Sequence, residues 1–120
     1  MSLIYVASPY THENSRVVQQ RVTAATLYCG QLIAEHLHPW SPIVHSHSIA
    51  SICDLPTDWE FWKAADELLI RKSDVMHVLM FPGWMHSRGI EAEVEIANLF
   101  EKPVRMIPEK DTCYEQAASL

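Results

Sequence analysis

Two acidic residues sit where an ordinary surface helix would not put them. On a helical wheel of about 100° per residue, a helix starting at Arg88 gathers Ile90, Val94, Ile96, Ala97 and Phe100 into one apolar arc. Glu91, Glu95 and Asn98 take the opposite face, but Glu93 projects between Phe100 and Ala97, inside the arc. The helix beginning near Asp58 repeats the anomaly. Trp59, Trp62, Ala65, Leu69 and Ile70 form its apolar side, Glu60, Lys63, Glu67 and Arg71 its polar side, and Asp66 falls between Trp62 and Trp59. A carboxylate aimed at a core is costly unless it is paired or has work to do. Burial raises a carboxyl pKa into the range used for proton transfer or nucleophilic attack. The hydroxyl of Tyr5, on a strand-like segment, is a third inward polar group. The alternative is that both acids lie at the rims of their faces, capping a neighbour or pairing with an arginine.

The elements that must position these groups alternate along the chain. Leu3 to Ala7 is a short apolar run rich in strand formers, ended by Ser8-Pro9-Tyr10. Val18, Val22, Ala25, Cys29 and Leu32 recur at helical steps between about Asn14, a suitable cap, and Leu37. Trp40 to Val44 reads as a second strand, with Pro42 placing it at an edge, and His45 to Pro56 reads as a long polar loop. Thr57-Asp58-Trp59-Glu60 has the form of a capping box with Thr57 at the cap, opening a helix to about Lys72. Val75 to Phe81 is a near-continuous apolar run, as in a buried parallel strand. Pro82-Gly83 breaks it, Ser87 caps a helix to about Glu101, and Pro103 to Ile107 is a last strand. The tail from Glu109 holds a final helical turn or two.

Strand–helix alternation of this kind predicts one α/β domain over residues 1–120, with a parallel sheet of four or five strands and helices on both faces. Ligands bind such sheets beyond the carboxyl ends of the strands. The residues expected to line a site are Ser8, Pro9 and Tyr10 after the first strand, His45 in the long loop, and Trp62 beside Asp66. Gly83, Trp84, Ser87 and Gly89 complete it after the third strand. Ser87 with Arg88 at a helix N-terminus suits a phosphate, or is a plain cap. Trp84 and Met85 suit a planar ligand, or pack the sheet end.

Composition narrows the classes. The chain has 120 residues, 48% hydrophobic and 20% charged, with fifteen acids against nine bases and a formal charge of −6. A phosphate polymer needs a basic surface, so a nucleic-acid partner is not expected. No apolar run is long enough for a membrane span, and Met1-Ser2-Leu3 has no signal-like basic start. Three scattered cysteines suit reduced thiols and a cytoplasmic location. His45 and His47 would share one side of an extended segment, but no third ligand is spaced to join them, so no metal and no cofactor is expected. Phosphate-loop and dinucleotide glycine motifs are missing.

Several of these residues together resemble the nucleoside 2-deoxyribosyltransferase superfamily, which includes the 2′-deoxynucleoside 5′-phosphate N-hydrolases. The likeness runs from about Leu3 to Ile107. It rests on Ile4-Tyr5-Val6-Ala7-Ser8-Pro9-Tyr10, on Asp66 eight residues before Ser73-Asp74-Val75, on the Ser41 to His47 segment, and on Gly83-Trp84-x-x-Ser87-x-Gly89-x-x-x-Glu93 with Ala97. Short bacterial and phage members are the most similar. The resemblance implies a flavodoxin-like fold of the nucleoside deoxyribosyltransferase type and cleavage or transfer at the N-glycosidic bond of a 2′-deoxynucleoside or its 5′-monophosphate. Glu93 would then be the nucleophile, Asp66 would support protonation of the base, and Tyr5 would orient Glu93. Ser87 matches a phosphate-contacting serine. The hydrolases carry an arginine in the loop after the first strand, whereas Ser8-Pro9-Tyr10-Thr11 has none before Arg16. That departure leaves a second reading, a nucleotide-binding or sensor domain without turnover. A homo-oligomer is expected on two grounds: family members close their sites with a neighbouring subunit, and Trp40, Trp59, Phe61, Trp62, Trp84 and Met85 exceed what one small sheet edge buries.

Overall fold

The computed structural model describes residues 2–120. Four strands, β1 (Leu3–Ala7), β2 (His38–Trp40), β3 (Val75–Leu79) and β4 (Val104–Ile107), form one sheet in the order β2-β1-β3-β4. Every pairing is parallel, with Tyr5 opposite Trp40 and Met76, and Val78 opposite Met106. Five α-helices connect or follow them: α1 (Ser15–Ala34), α2 (Pro42–Cys53), α3 (Trp59–Lys72), α4 (Arg88–Leu99) and the short α5 (Tyr114–Ala117). The expected α/β class, with helices on both faces, is therefore the observed one, in a flavodoxin-like strand order of four.

Pleat alternation divides the core. Ile4, Val6 and Leu79 face α1, α2 and α5, where Val22, Ala25, Tyr28, Leu32, Ile43 and Ala117 join them. Tyr5, Ala7, Met76 and Val78 face α3 and α4 and meet Ile70, Ile90 and Ala97. His77, the polar interruption in the third strand, is buried on the first face, and its Nδ1 lies 2.8 Å from the Tyr28 hydroxyl.

The cap signals at Asn14 and Ser87 hold. The Asn14 side chain accepts from the Arg16 N–H and the Ser87 hydroxyl from the Ile90 N–H. Four local expectations fail. The second strand stops at Trp40, and Pro42 is not inside it: Ser41 caps α2 and Pro42 fills its first turn, where a missing N–H costs nothing. The stretch from His45 to Pro56 is consequently mostly helix, ended by Asp54 in the left-handed region at φ 55°. Only Pro42, Ile43 and Ala50 of α2 are buried, so its sequence shows no amphipathic stripe. Asp58, not Thr57, caps α3, and its side chain makes no capping hydrogen bond. Lastly, α1 ends at Ala34, because the chain turns at His36 with φ 63°. No helix among the described residues is long and apolar enough to cross a membrane.

Candidate active site

The sheet order creates the site. From β1 the chain moves outward to β2 and then crosses back to β3, so the connections after β1 and β3 leave in opposite directions. A crevice opens between them at the carboxyl edge. A cavity of about 820 Å³ occupies it, within the size range of small-molecule sites. Its walls come from the loop after β1, from α2 and α3, and from the segment joining β3 to α4.

Glu93 and Asp66 both line this cavity. Glu93 is only 5% exposed, and its Oε2 accepts a hydrogen bond from the fully buried Tyr5 hydroxyl. The cause is simple: the second turn of α4 lies over the face of β1 that carries Tyr5 and Ala7. Burial pushes the Glu93 carboxyl up to about 8; the Tyr5 hydrogen bond works against this, and the charge of Asp66 adds to it. Asp66 is half-buried, and burial raises it to about 6. Tyr5 is driven well above its ordinary value by burial, then by the two neighbouring carboxylates. Burial therefore favours the neutral form of Glu93 more strongly than that of Asp66. Two acids with separated values can divide acid and base roles between them.

Of the other expected lining residues, Ser8, Pro9, Tyr10, Trp62, Gly83, Ser87 and Gly89 all border the cavity. Gly89 stands one turn before Glu93, where a Cβ would lie 4.0 Å from Glu93 Oε1. The Trp62 indole N–H donates to the Pro56 carbonyl at 2.8 Å, which fixes its ring. Two expectations are corrected. His45 does not reach the cavity: it is exposed on α2, its ring 4.7 Å from that of Trp40, because a helix sends residues 45 and 47 to different sides. Trp84 packs against the core cluster around Tyr5 and borders a separate depression of about 220 Å³. His47 instead approaches Tyr10, whose hydroxyl lies 2.7 Å from His47 Nδ1. Among the described residues no group of three His, Cys, Asp or Glu side chains could hold a metal ion.

The sequence model for the family described as "Domain of unknown function (DUF1937)" matches residues 2–109. The chain belongs to this family. No curated protein matches it. The match covers every strand of the sheet and both acids of the cavity.

The DUF1937 cavity also contains residues that the sequence reading passed over, chief among them Arg21. This arginine is only 6% exposed. Its Nη1 donates to the carbonyls of Thr11 at 2.9 Å and Tyr10 at 3.4 Å, and its Nη2 to that of Pro82 at 3.1 Å. The wheel that exposed Glu93 would have found it, since Arg21 falls between Tyr28 and Leu32 on the buried side of α1. Trp59, His12, His86 and Arg88 are further lining residues of the DUF1937 domain. Among the described residues two buried polar atoms, Ser8 Oγ and Arg21 Nε, have no hydrogen-bond partner.

Proposed function

We propose that this DUF1937 domain cleaves or transfers at the N-glycosidic bond of a 2′-deoxynucleoside or its 5′-monophosphate. The observation that carries the reading is the buried Tyr5–Glu93 hydrogen bond in a cavity shared with Asp66. Glu93, once ionised, attacks C1′ of the sugar. The C1′–N bond breaks, its electron pair leaves with the base, and a proton reaches the base from Asp66, directly or through a water. Water or a second base then gives up a proton to Asp66, attacks C1′ of the glycosyl-enzyme and releases the Glu93 carboxylate, retaining configuration overall. Tyr5 holds the Glu93 carboxyl in line. Tyr10, Trp59 and Trp62 offer aromatic surface for a base. Exposed Phe61 and Leu68 on α3 support a homo-oligomer in which a second copy covers the α3 side of the cavity.

The proton inventory defines what the reaction needs. The two acids share one proton, which burial holds mainly on Glu93, so that proton must pass to Asp66, directly or through a water, before Glu93 attacks. The pH profile of kcat/KM should accordingly be a bell that falls off below about 6 and above about 8, the values of the two acids in the free chain. The loop after β1, Ser8-Pro9-Tyr10-Thr11 with no arginine before Arg16, favours the second reading, a domain that binds a nucleotide without turnover. Incubation with a panel of 2′-deoxynucleosides and monophosphates, followed by chromatography for free base, separates the two. Base release by the wild type and its loss in Glu93→Ala support the enzyme. Thermal stabilisation by a nucleotide with no base released supports the binder. Full activity in Glu93→Ala refutes the nucleophile.

A further inference from the structure

Among the described residues no acidic side chain pairs with the cavity's buried cation. Arg21 is more than nine-tenths buried, and its three hydrogen bonds all run to neutral backbone carbonyls. A guanidinium has five N–H donors, and here Nε finds no acceptor. Uncompensated buried charge is expensive, so its retention needs a reason. One part is mechanical. Arg21 ties the loop after β1 to the turn after β3, across the crevice where the two diverge. The fit is close: Gly83 has φ 89°, and a Cβ there would stand 3.1 Å from Arg21 Nη2.

The other part is electrostatic. The acids of the cavity are Asp58 at the cap of α3, Glu60 and Asp66 on α3, and Glu93 on α4. Arg21, the unpartnered Ser8 hydroxyl and the Ser87-capped start of α4 line it as well, and the first N–H groups of that twelve-residue helix carry partial positive charge. Positive charge thus enters the cavity from α1 and from the start of α4, beside the acids. We propose that Arg21 is a positioning residue which latches these two loops and supplies the charge behind them, so that the site selects an anionic ligand: the 5′-monophosphate rather than the free nucleoside. This rests on the nucleoside reading for the identity of the ligand, but not for the presence of an anion subsite.

Binding of the four 2′-deoxynucleosides, their 5′-monophosphates and inorganic phosphate is measured by calorimetry and thermal shift on the wild type, Arg21→Lys and Arg21→Met. Each protein is paired with a Glu93→Gln version to suppress turnover. The wild type should bind a monophosphate about tenfold or more tighter than its nucleoside, the scale of one charge-assisted hydrogen bond. Arg21→Met should reduce that ratio to near one. Arg21→Lys should keep part of it, because an ammonium retains the charge but cannot span three carbonyls. A purely structural latch would weaken both ligands equally and leave the ratio unchanged in either variant, which overturns the proposal. If Arg21→Met does not fold, the wild-type ratio and Arg21→Lys still decide, and equal wild-type binding of both ligands overturns it. The inorganic phosphate arm keeps the two readings apart. Phosphate that protects the wild type but not Arg21→Met upholds the anion subsite even if no nucleoside binds, an outcome that would sink only the nucleoside reading.

Discussion

Replacing Glu93 with glutamine should stabilise the folded chain at alkaline pH and not at acid pH. In the unfolded chain Glu93 ionises near the ordinary 4.5, whereas in the fold burial holds it at about 8. Below 4.5 both states are protonated and the group is neutral in the balance. Above it the unfolded state releases its proton first, so native stability falls as pH rises and levels off past the folded value. Linkage between these two values costs the fold about 1 kcal/mol at pH 5, about 3 kcal/mol at pH 7 and about 4 kcal/mol at pH 8. Glutamine cannot ionise, so Glu93→Gln removes the whole dependence. Its oxygen still accepts from Tyr5, while its buried NH2 group needs a new acceptor, a pH-independent cost of about 1–3 kcal/mol. The variant should therefore match or fall below the wild type at pH 5 and exceed it at pH 8. The difference between the two pH values should be about 3 kcal/mol, or roughly 10 °C in melting temperature for a chain of this size. Urea unfolding followed by tryptophan fluorescence at several pH values measures it. A stability difference that stays constant within about 1 kcal/mol from pH 5 to 8 would refute the claim that Glu93 is held protonated by burial.

Other substitutions test the frame around the site. Ser87→Ala removes the hydroxyl that accepts from Ile90 N–H at 3.2 Å and should cost about 1 kcal/mol in urea unfolding. Gly83→Ala puts a side chain at φ 89° and 3.1 Å from Arg21 Nη2, so a loss of about 1–3 kcal/mol is expected by the same measurement. Tyr28→Phe strips the partner from buried His77 and should cost about 1–3 kcal/mol. His77 also has a sign of its own. Burial, then the charge of Arg105, lowers its pKa, so stability tied to the neutral ring is lost as pH falls below 6.5 and through the lowered value. With Glu93 acting in the other direction, the wild type should be most stable in weakly acid solution, which a melting series across pH checks.

Much of this protein was legible along the chain because burial leaves a local trace. Val75 to Leu79 is buried on both faces and reads as a continuous apolar run; α4 is buried on one and reads as a stripe, so an intruding Glu93 stands out. Helix α2 left no such trace. It buries only Pro42, Ile43 and Ala50, and the deciding signal was the Ser41-Pro42 pair, which equally suits a strand edge. Periodicity reports how far a side chain points inward, but not what it will meet there. Tyr5 and Glu93 are 88 positions apart, and only the crossing from β2 over β1 to β3 brings their elements onto one face. Arg21 required still more: its partners are backbone carbonyls of two loops, and carbonyls are the same at every position of a sequence. The amino-acid sequence by itself thus determined the elements, their inward faces and the two acids. The tertiary structure alone decided which loops converge and what the buried Arg21 meets there, because hydrogen bonds to main-chain carbonyls leave no signature in residue type.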